Sequence, residues 1–154
     1  MNSLNQYIIE KLRINKDIKK IYNYHPKTKN ELISLLKKLL EERGKNADLN
    51  DIDVSDITDM TGLFKNLNPH KIDISEWNVS NVKDMHFMFY YCTNFNSDLS
   101  NWDVSNVEDM HGMFYSCKNF NSDLSKWDVS KVTDMEHMFD GCNSLKNKPS
   151  WYNE

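Results

Sequence analysis

A run of 23 residues in this chain is written twice, nearly letter for letter, the second copy 25 positions after the first. Phe95-Asn-Ser-Asp-Leu-Ser-Asn-Trp-Asp-Val-Ser-Asn-Val-Glu-Asp-Met-His-Gly-Met-Phe-Tyr-Ser-Cys117 recurs as Phe120-Asn-Ser-Asp-Leu-Ser-Lys-Trp-Asp-Val-Ser-Lys-Val-Thr-Asp-Met-Glu-His-Met-Phe-Asp-Gly-Cys142. A unit this short cannot enclose a core of its own. Each copy must bury its apolar side against its neighbours, so the period dictates a stack and favours binding over catalysis.

The stack starts earlier than the near-perfect copies suggest. Counting back by 25 aligns Trp127, Trp102 and Trp77 with Ile52, and Val129, Val104 and Val79 with Val54. Met135, Met110 and Met85 align with Met60, and Phe139, Phe114 and Phe89 with Phe64. About four coils result, the first carrying Leu67 where the others carry Cys92, Cys117 and Cys142. Within a coil, Leu99, Trp102, Val104 and Val107 follow the leucine-rich-repeat template, and the alternation of Trp102 with Val104 predicts a short strand. Val107, Met110, Met113, Phe114 and Cys117 recur at spacings of three and four, which predicts a short helix on the opposite wall, capped at Ser105 or Asn106. The expected fold class is α/β, a leucine-rich-repeat-like solenoid.

Residues 1–46 predict a helical N-terminal cap for a solenoid over 47–146, with 147–154 closing the far end. Thr28-Lys-Asn-Glu31 fits a capping box, and Leu32, Leu35, Leu36, Leu39 and Leu40 share one helix face ahead of a Gly44 stop. Leu4, Ile8, Ile9, Leu12 and Ile18 suggest a shorter helix upstream. Pro149 discourages a further strand, and Trp151 and Tyr152 are expected to fold over the last coil. On this reading the chain is complete at both ends.

The net charge of −4 conceals an asymmetry: residues 1–46 carry eleven Lys/Arg against five Asp/Glu, and residues 47–154 eight against eighteen. A basic head raises nucleic-acid contact as an alternative, testable by charge reversal at Lys19, Lys20, Lys37 and Lys38. The lysines alternate with an apolar stripe, however, and read first as its solvated face. No apolar run is long enough for a membrane span and the N-terminus lacks a secretory pattern, so a cytoplasmic location is expected. The three cysteines stand one repeat apart, a packing ladder rather than a disulfide framework or zinc site. No nucleophile elbow, phosphate loop, metalloprotease or dinucleotide motif is present, so no enzyme and no cofactor are expected.

The motif Trp-Asp-Val-Ser-Asn-Val-x-Asp-Met-x-x-Met-Phe, preceded by Phe-Asn-x-Asp-Leu-Ser, resembles the BspA-type leucine-rich repeat family, also catalogued as DUF285 or the bacterial surface protein repeat. The likeness covers about residues 47–146. With the head from Pro26-Lys-Thr-Lys-Asn-Glu-Leu to Met60 it extends over about 24–152. The resemblance implies a right-handed solenoid that serves protein binding, and a cell-surface or secreted adhesin recognising host or bacterial proteins as one form of it. A small inhibitor of a cellular protein, carried by a mobile element, is a further alternative.

The candidate partner-binding residues lie on the outward side of the expected strand. One column is Asp53, Asn78, Asp103 and Asp128; a second is Asp51, Glu76, Asn101 and Lys126; a third is Asp56, Asn81, Asn106 and Lys131. A negative ladder suits a basic protein partner, although Asp and Asn also recur wherever each coil needs the same turn, and that turn reading is preferred for the first column. The second and third columns vary and are better placed to set specificity. Tyr90, Tyr91 and Tyr115 offer an aromatic patch on the other wall, where a homodimer contact could form. His86, His111 and Glu136 invite a zinc hypothesis, and the column Asp59, Asp84, Asp109 and Asp134 a calcium one; structural capping is preferred for the latter, and no metal is expected. The expected assembly is a monomer or weak homodimer, without membrane insertion.

Overall fold

The computed structural model describes residues 20–153. The amphipathic segment expected before residue 19, and Lys19 itself, lie outside the described residues. The cap helix, α1, runs Lys29–Arg43. Thr28 Oγ1 accepts the Glu31 N–H at 3.2 Å, while the Glu31 carboxylate turns back to the Lys27 N–H at 2.7 Å. One orphan donor of the first turn is thereby satisfied, together with the N–H just ahead of the cap residue. At the other end Gly44 takes φ 85° and donates to Leu40 O, the left-handed stop that glycine adopts without a Cβ penalty. Leu32, Leu36, Leu39 and Leu40 are buried in the same cluster as Ile52, Met60 and Phe64 of the first repeat.

The repeats correct the expected fold class. The α/β right-handed leucine-rich-repeat-like solenoid, with a strand at Trp102–Val104 and a helix from Val107 to Cys117, does not form. Among the described residues α1 is the one α-helix and there is no strand, only isolated parallel bridges such as Asp84↔Asp109. Each repeat is instead a succession of tight turns. Backbone N–H groups of Trp102, Val107, Met113, Tyr115, Cys117 and Phe120 each donate to the carbonyl three residues earlier. Left-handed residues at Gly112 (φ 55°) and Ser116 (φ 58°) stop any helix from propagating. Asp103, by accepting the Ser105 N–H, turns the chain directly after Trp102 and prevents a strand. The spacing of three that resembles a helix face is the spacing of buried turn corners.

The turn-built repeats stack in register. In the 85–91 wall, alternate N–H groups close turns, while Met85, Phe87, Phe89 and Tyr91 donate to Asp109, His111, Met113 and Tyr115 of the next repeat. Met60, Gly62 and Phe64 do the same one repeat earlier, and Met110, Gly112, Phe114 and Ser116 one repeat later. Side chains repeat this logic. The indole Nε1–H of Trp77, Trp102 and Trp127 donates to the carbonyl of Leu49, Ile74 and Leu99, each at about 3 Å. The thiols of Cys92, Cys117 and Cys142 donate to Phe64, Phe89 and Phe114 carbonyls. Phe64, Phe89, Phe114 and Phe139 form a spine with ring centroids 5.1, 5.5 and 5.8 Å apart, stacked within 6°.

The two ends differ. At the start, Asn23 and Tyr24 pair with Asp51–Asp53 of the first repeat, alongside α1. At the end, Trp151 takes the next place in the tryptophan column, 6.3 Å from Trp127 and 8° from parallel, and its indole donates to Leu124 O.

Candidate interaction surface

The aspartate columns are built by turn chemistry. Asp53, Asn78, Asp103 and Asp128 each accept, through Oδ1, the N–H of the Ser two residues on. Asn78 does this as well as the aspartates, with the Ser80 hydroxyl at 2.6 Å, so the column needs an acceptor rather than a charge. A parallel column, Asp48, Asp73, Asp98 and Asp123, closes the preceding turn in the same way. Sequence reasoning passed over this second column, although the recurring Asp-x-Ser spelled it out. The column Asp59, Asp84, Asp109 and Asp134 also caps turns, accepting the N–H groups of Thr61, His86, His111 and Glu136, and not a helix.

The basic head is the electrostatic complement of the first repeats. Arg43 forks onto both oxygens of Asp51 at 2.9 and 3.0 Å, with Asn23 on the same carboxylate. His25 faces Asp53 at 3.4 Å, Lys27 meets Asp56, Lys29 meets Asp59 and Lys20 meets Glu76. Arg43 holds Asp51 below the usual carboxylate range. Burial pushes Asp53 up, but the Ser55 hydroxyl and N–H together with His25 outweigh it and leave it low. The outer third column is also occupied: Asn81 and Asn106 donate to Ser55 and Ser80 carbonyls, and Lys131 reaches Asn106. Of the residues singled out on this side, Asp51, Asp53 and Asn106 are half-buried and the others, Asn101, Asp103, Lys126 and Asp128 among them, stand exposed.

The other wall carries an aromatic surface. Tyr90 stacks on Tyr115 at 5.2 Å, Tyr91 meets Tyr90 edge-on at 4.6 Å, and Phe87 meets Tyr90 at 4.8 Å and His111 at 5.1 Å. Lys65 lies 5.0 Å from the Tyr90 ring centroid, a cation already bound by the patch. A cleft of about 320 Å³ opens among Phe87, Tyr90, His111, Tyr115, His137 and Asp140. Two of these aromatics hold costly backbone conformations: Phe87 at φ 53° and Tyr91 at φ 59°. Gly62 and Gly112 occupy the place of Phe87 in the neighbouring repeats. A bulky residue there forgoes about 1–2 kcal/mol that glycine would keep. Gly112 in turn makes room for Phe87, since a Cβ on it would come within 2.5 Å of the ring. Among the described residues Tyr91, about half exposed, is one of two large apolar side chains so exposed, with Ile21. Phe87 was missed in sequence because a phenylalanine among apolar columns resembles core; its departure from the glycine at 62 and 112 was the available signal.

His86 and His111 do not converge on one zinc position. His86 pairs with Asp84 at 2.7 Å, near Asp109, while His111 faces Asp134 at 3.4 Å, near Glu136. Each histidine has its own carboxylates and its own turn.

A family profile described as "Mycoplasma protein of unknown function, DUF285" matches residues 34–152. The chain belongs to the DUF285 family. No curated protein and no solved structure matches it. The match spans most of α1 and every repeat of this DUF285 chain, so the cap and the stack belong to one family unit. Among the described residues no helix is long and apolar enough to cross a membrane.

Proposed function

We propose that this DUF285 protein is a non-catalytic protein-interaction module that docks its partner on the aromatic wall of Phe87, Tyr90, Tyr91 and Tyr115. The observation that carries the reading is the left-handed backbone at Phe87 and Tyr91. The left-handed turn recurs in the stack, at Gly112, Ser116, His137 and Gly141 as well, and at Phe87 and Tyr91 it carries large aromatic side chains to the surface where glycine would cost less. An exposed Tyr91 with half-buried Tyr90 and Tyr115 beside a charged rim matches the composition of interface hot spots. Lys65 over Tyr90 supports a partner that brings a basic side chain to the same rings. Within the family, the Trp-Asp-Val-Ser-Asn-Val-x-Asp-Met run at 102–110 favours kinship with BspA-type surface proteins, for which an adhesin is the extracellular form of such a module.

The test is affinity capture from a lysate of the native source with wild type, Phe87→Gly and Tyr91→Asn as baits. Both replacements tolerate left-handed backbone, so the variants are expected to melt no lower than wild type while losing the captured protein. A protein held equally by all three baits would remove the aromatic wall as the docking site. A bait carrying Asp103→Asn and Asp128→Asn keeps the turn acceptors, and is expected to capture normally.

A further inference from the structure

The wall of the stack is polar along its own axis. Every second N–H in it points toward the following repeat and every matching carbonyl toward the preceding one. Repeats two and three are satisfied in this way at all four positions by their successors, and the first repeat at Met60, Gly62 and Phe64. In the fourth repeat the equivalent donors are Met135, His137, Phe139 and Gly141, and none of these four N–H groups has a partner among the described residues. Apolar cover is thin at the same end. Val129, Val132 and Met135 are half-buried, whereas Val104, Val107 and Met110 are at most 1% exposed. A cleft of about 680 Å³ lies at the Met135–His137 part of this edge, lined among others by Thr133 and Glu136, with Tyr152 and Asn153 also bordering it, while Phe139 is buried beside it.

The unfilled groups say what fits. A row of donors at alternate residues asks for backbone carbonyls at alternate residues, which an extended chain offers. A second copy of this protein does not supply them: its own C-terminal edge presents N–H groups too, and its N-terminal end is covered by α1. Asp134, Glu136 and Asp140 line the cleft, against Lys148 over the Tyr152 ring at 5.3 Å. The surplus is negative. We propose that this edge is a docking groove for an extended segment of a partner protein that adds its backbone carbonyls to the open N–H row and brings lysine or arginine side chains to the acidic rim. This is edge addition of the kind used by sheet proteins, transferred to a stack of turns. It rests on the protein-binding reading above but adds a surface that does not involve Phe87 or Tyr91.

The probe is the peptide acetyl-(Val-Lys)4-amide, with acetyl-(Val-Glu)4-amide as control, followed by amide hydrogen exchange and NMR on the whole chain. In the free protein the amides of residues 135, 137, 139 and 141 should exchange far faster than those of 110, 112, 114 and 116. The lysine peptide should slow those four by about tenfold or more and shift their resonances, while the glutamate peptide does neither. Glu136→Lys, whose side chain stands exposed, should abolish the effect with protection at 110–116 unchanged; Phe87→Gly should leave it intact. The proposal is overturned if the four amides are already protected, if neither peptide acts, if both act equally, or if the shifts map to another surface. An edge that binds while the aromatic variants still capture their protein would separate this groove from the docking wall.

Discussion

Trp102→Ala is the sharpest probe of how the repeats hold together. The ring is 4% exposed in the third of the four repeats, 6.4 Å from Trp77 and 5° from parallel, and its Nε1–H donates to Ile74 O at 2.9 Å. Removing a buried aromatic ring to Ala costs about 3–5 kcal/mol through lost burial and the cavity left behind. Against a usual total of about 5–15 kcal/mol, that is a large fraction of the stability. Trp102→Phe divides the loss, since it keeps most of the apolar body but removes the indole donor from the Ile74 carbonyl, which still accepts the Trp77 N–H, at about 0.5–1.5 kcal/mol for the lost bond. Urea unfolding would be followed in parallel by circular dichroism, which sees α1, and by tryptophan fluorescence, which sees the stack. Coincident curves license one free energy for the whole chain. A loss under about 1 kcal/mol for Trp102→Ala would refute the placement of this ring in the core. Equal losses for Ala and Phe would mean that the hydrogen bond, and not burial, accounts for its contribution.

Two further outcomes are expected. Asp98 and Asp103 are held below the ordinary carboxyl value by the hydroxyl and N–H of Ser100 and Ser105, Asp51 chiefly by the Arg43 guanidinium, and Asp73 by Ser75 and Asn50. Because their folded values lie below the unfolded ones, the unfolded state binds more protons. Their stabilisation is therefore complete above about pH 4 and is lost as pH falls through the folded values. Melting temperature should fall below that pH, and replacing Asp103 with Asn should flatten the fall slightly without lowering stability at neutral pH; an acid limb unchanged by several such replacements would contradict this. Burial pushes the Cys92 and Cys142 thiols up to about 12 and Cys117 higher still, so little thiolate exists at neutral pH. Iodoacetamide at pH 8 should label none of the three in the folded chain and all three in urea, as counted by mass spectrometry; rapid native labelling would show that the ladder opens.

The period, the alignment of the apolar columns and the cap helix were legible in the letters. Each depends on short-range physics: a hydroxyl three residues before a carboxylate, leucines on one helix face, an apolar residue wherever its counterpart 25 positions away is apolar. The secondary structure inside the repeats was not legible. Val107, Met110, Met113, Phe114 and Cys117 fit a helix by spacing, yet the same spacing arises from consecutive three-residue turns. Only the left-handed backbone at 112 and 116 and the pairing of alternate N–H groups with the next repeat separate the two. The destination of the charges was equally hidden. A basic head and an acidic body are facts of composition, but that Arg43 meets Asp51 and Lys20 meets Glu76 follows from the head folding back onto the first repeats. Sequence alone determined which residues must be buried together, because the repeat makes each column its own neighbour. Tertiary structure alone decided which residues remain available at the surface, because the partners of Asp53, the strain at Phe87 and the open N–H row at the last repeat depend on what is packed beside them.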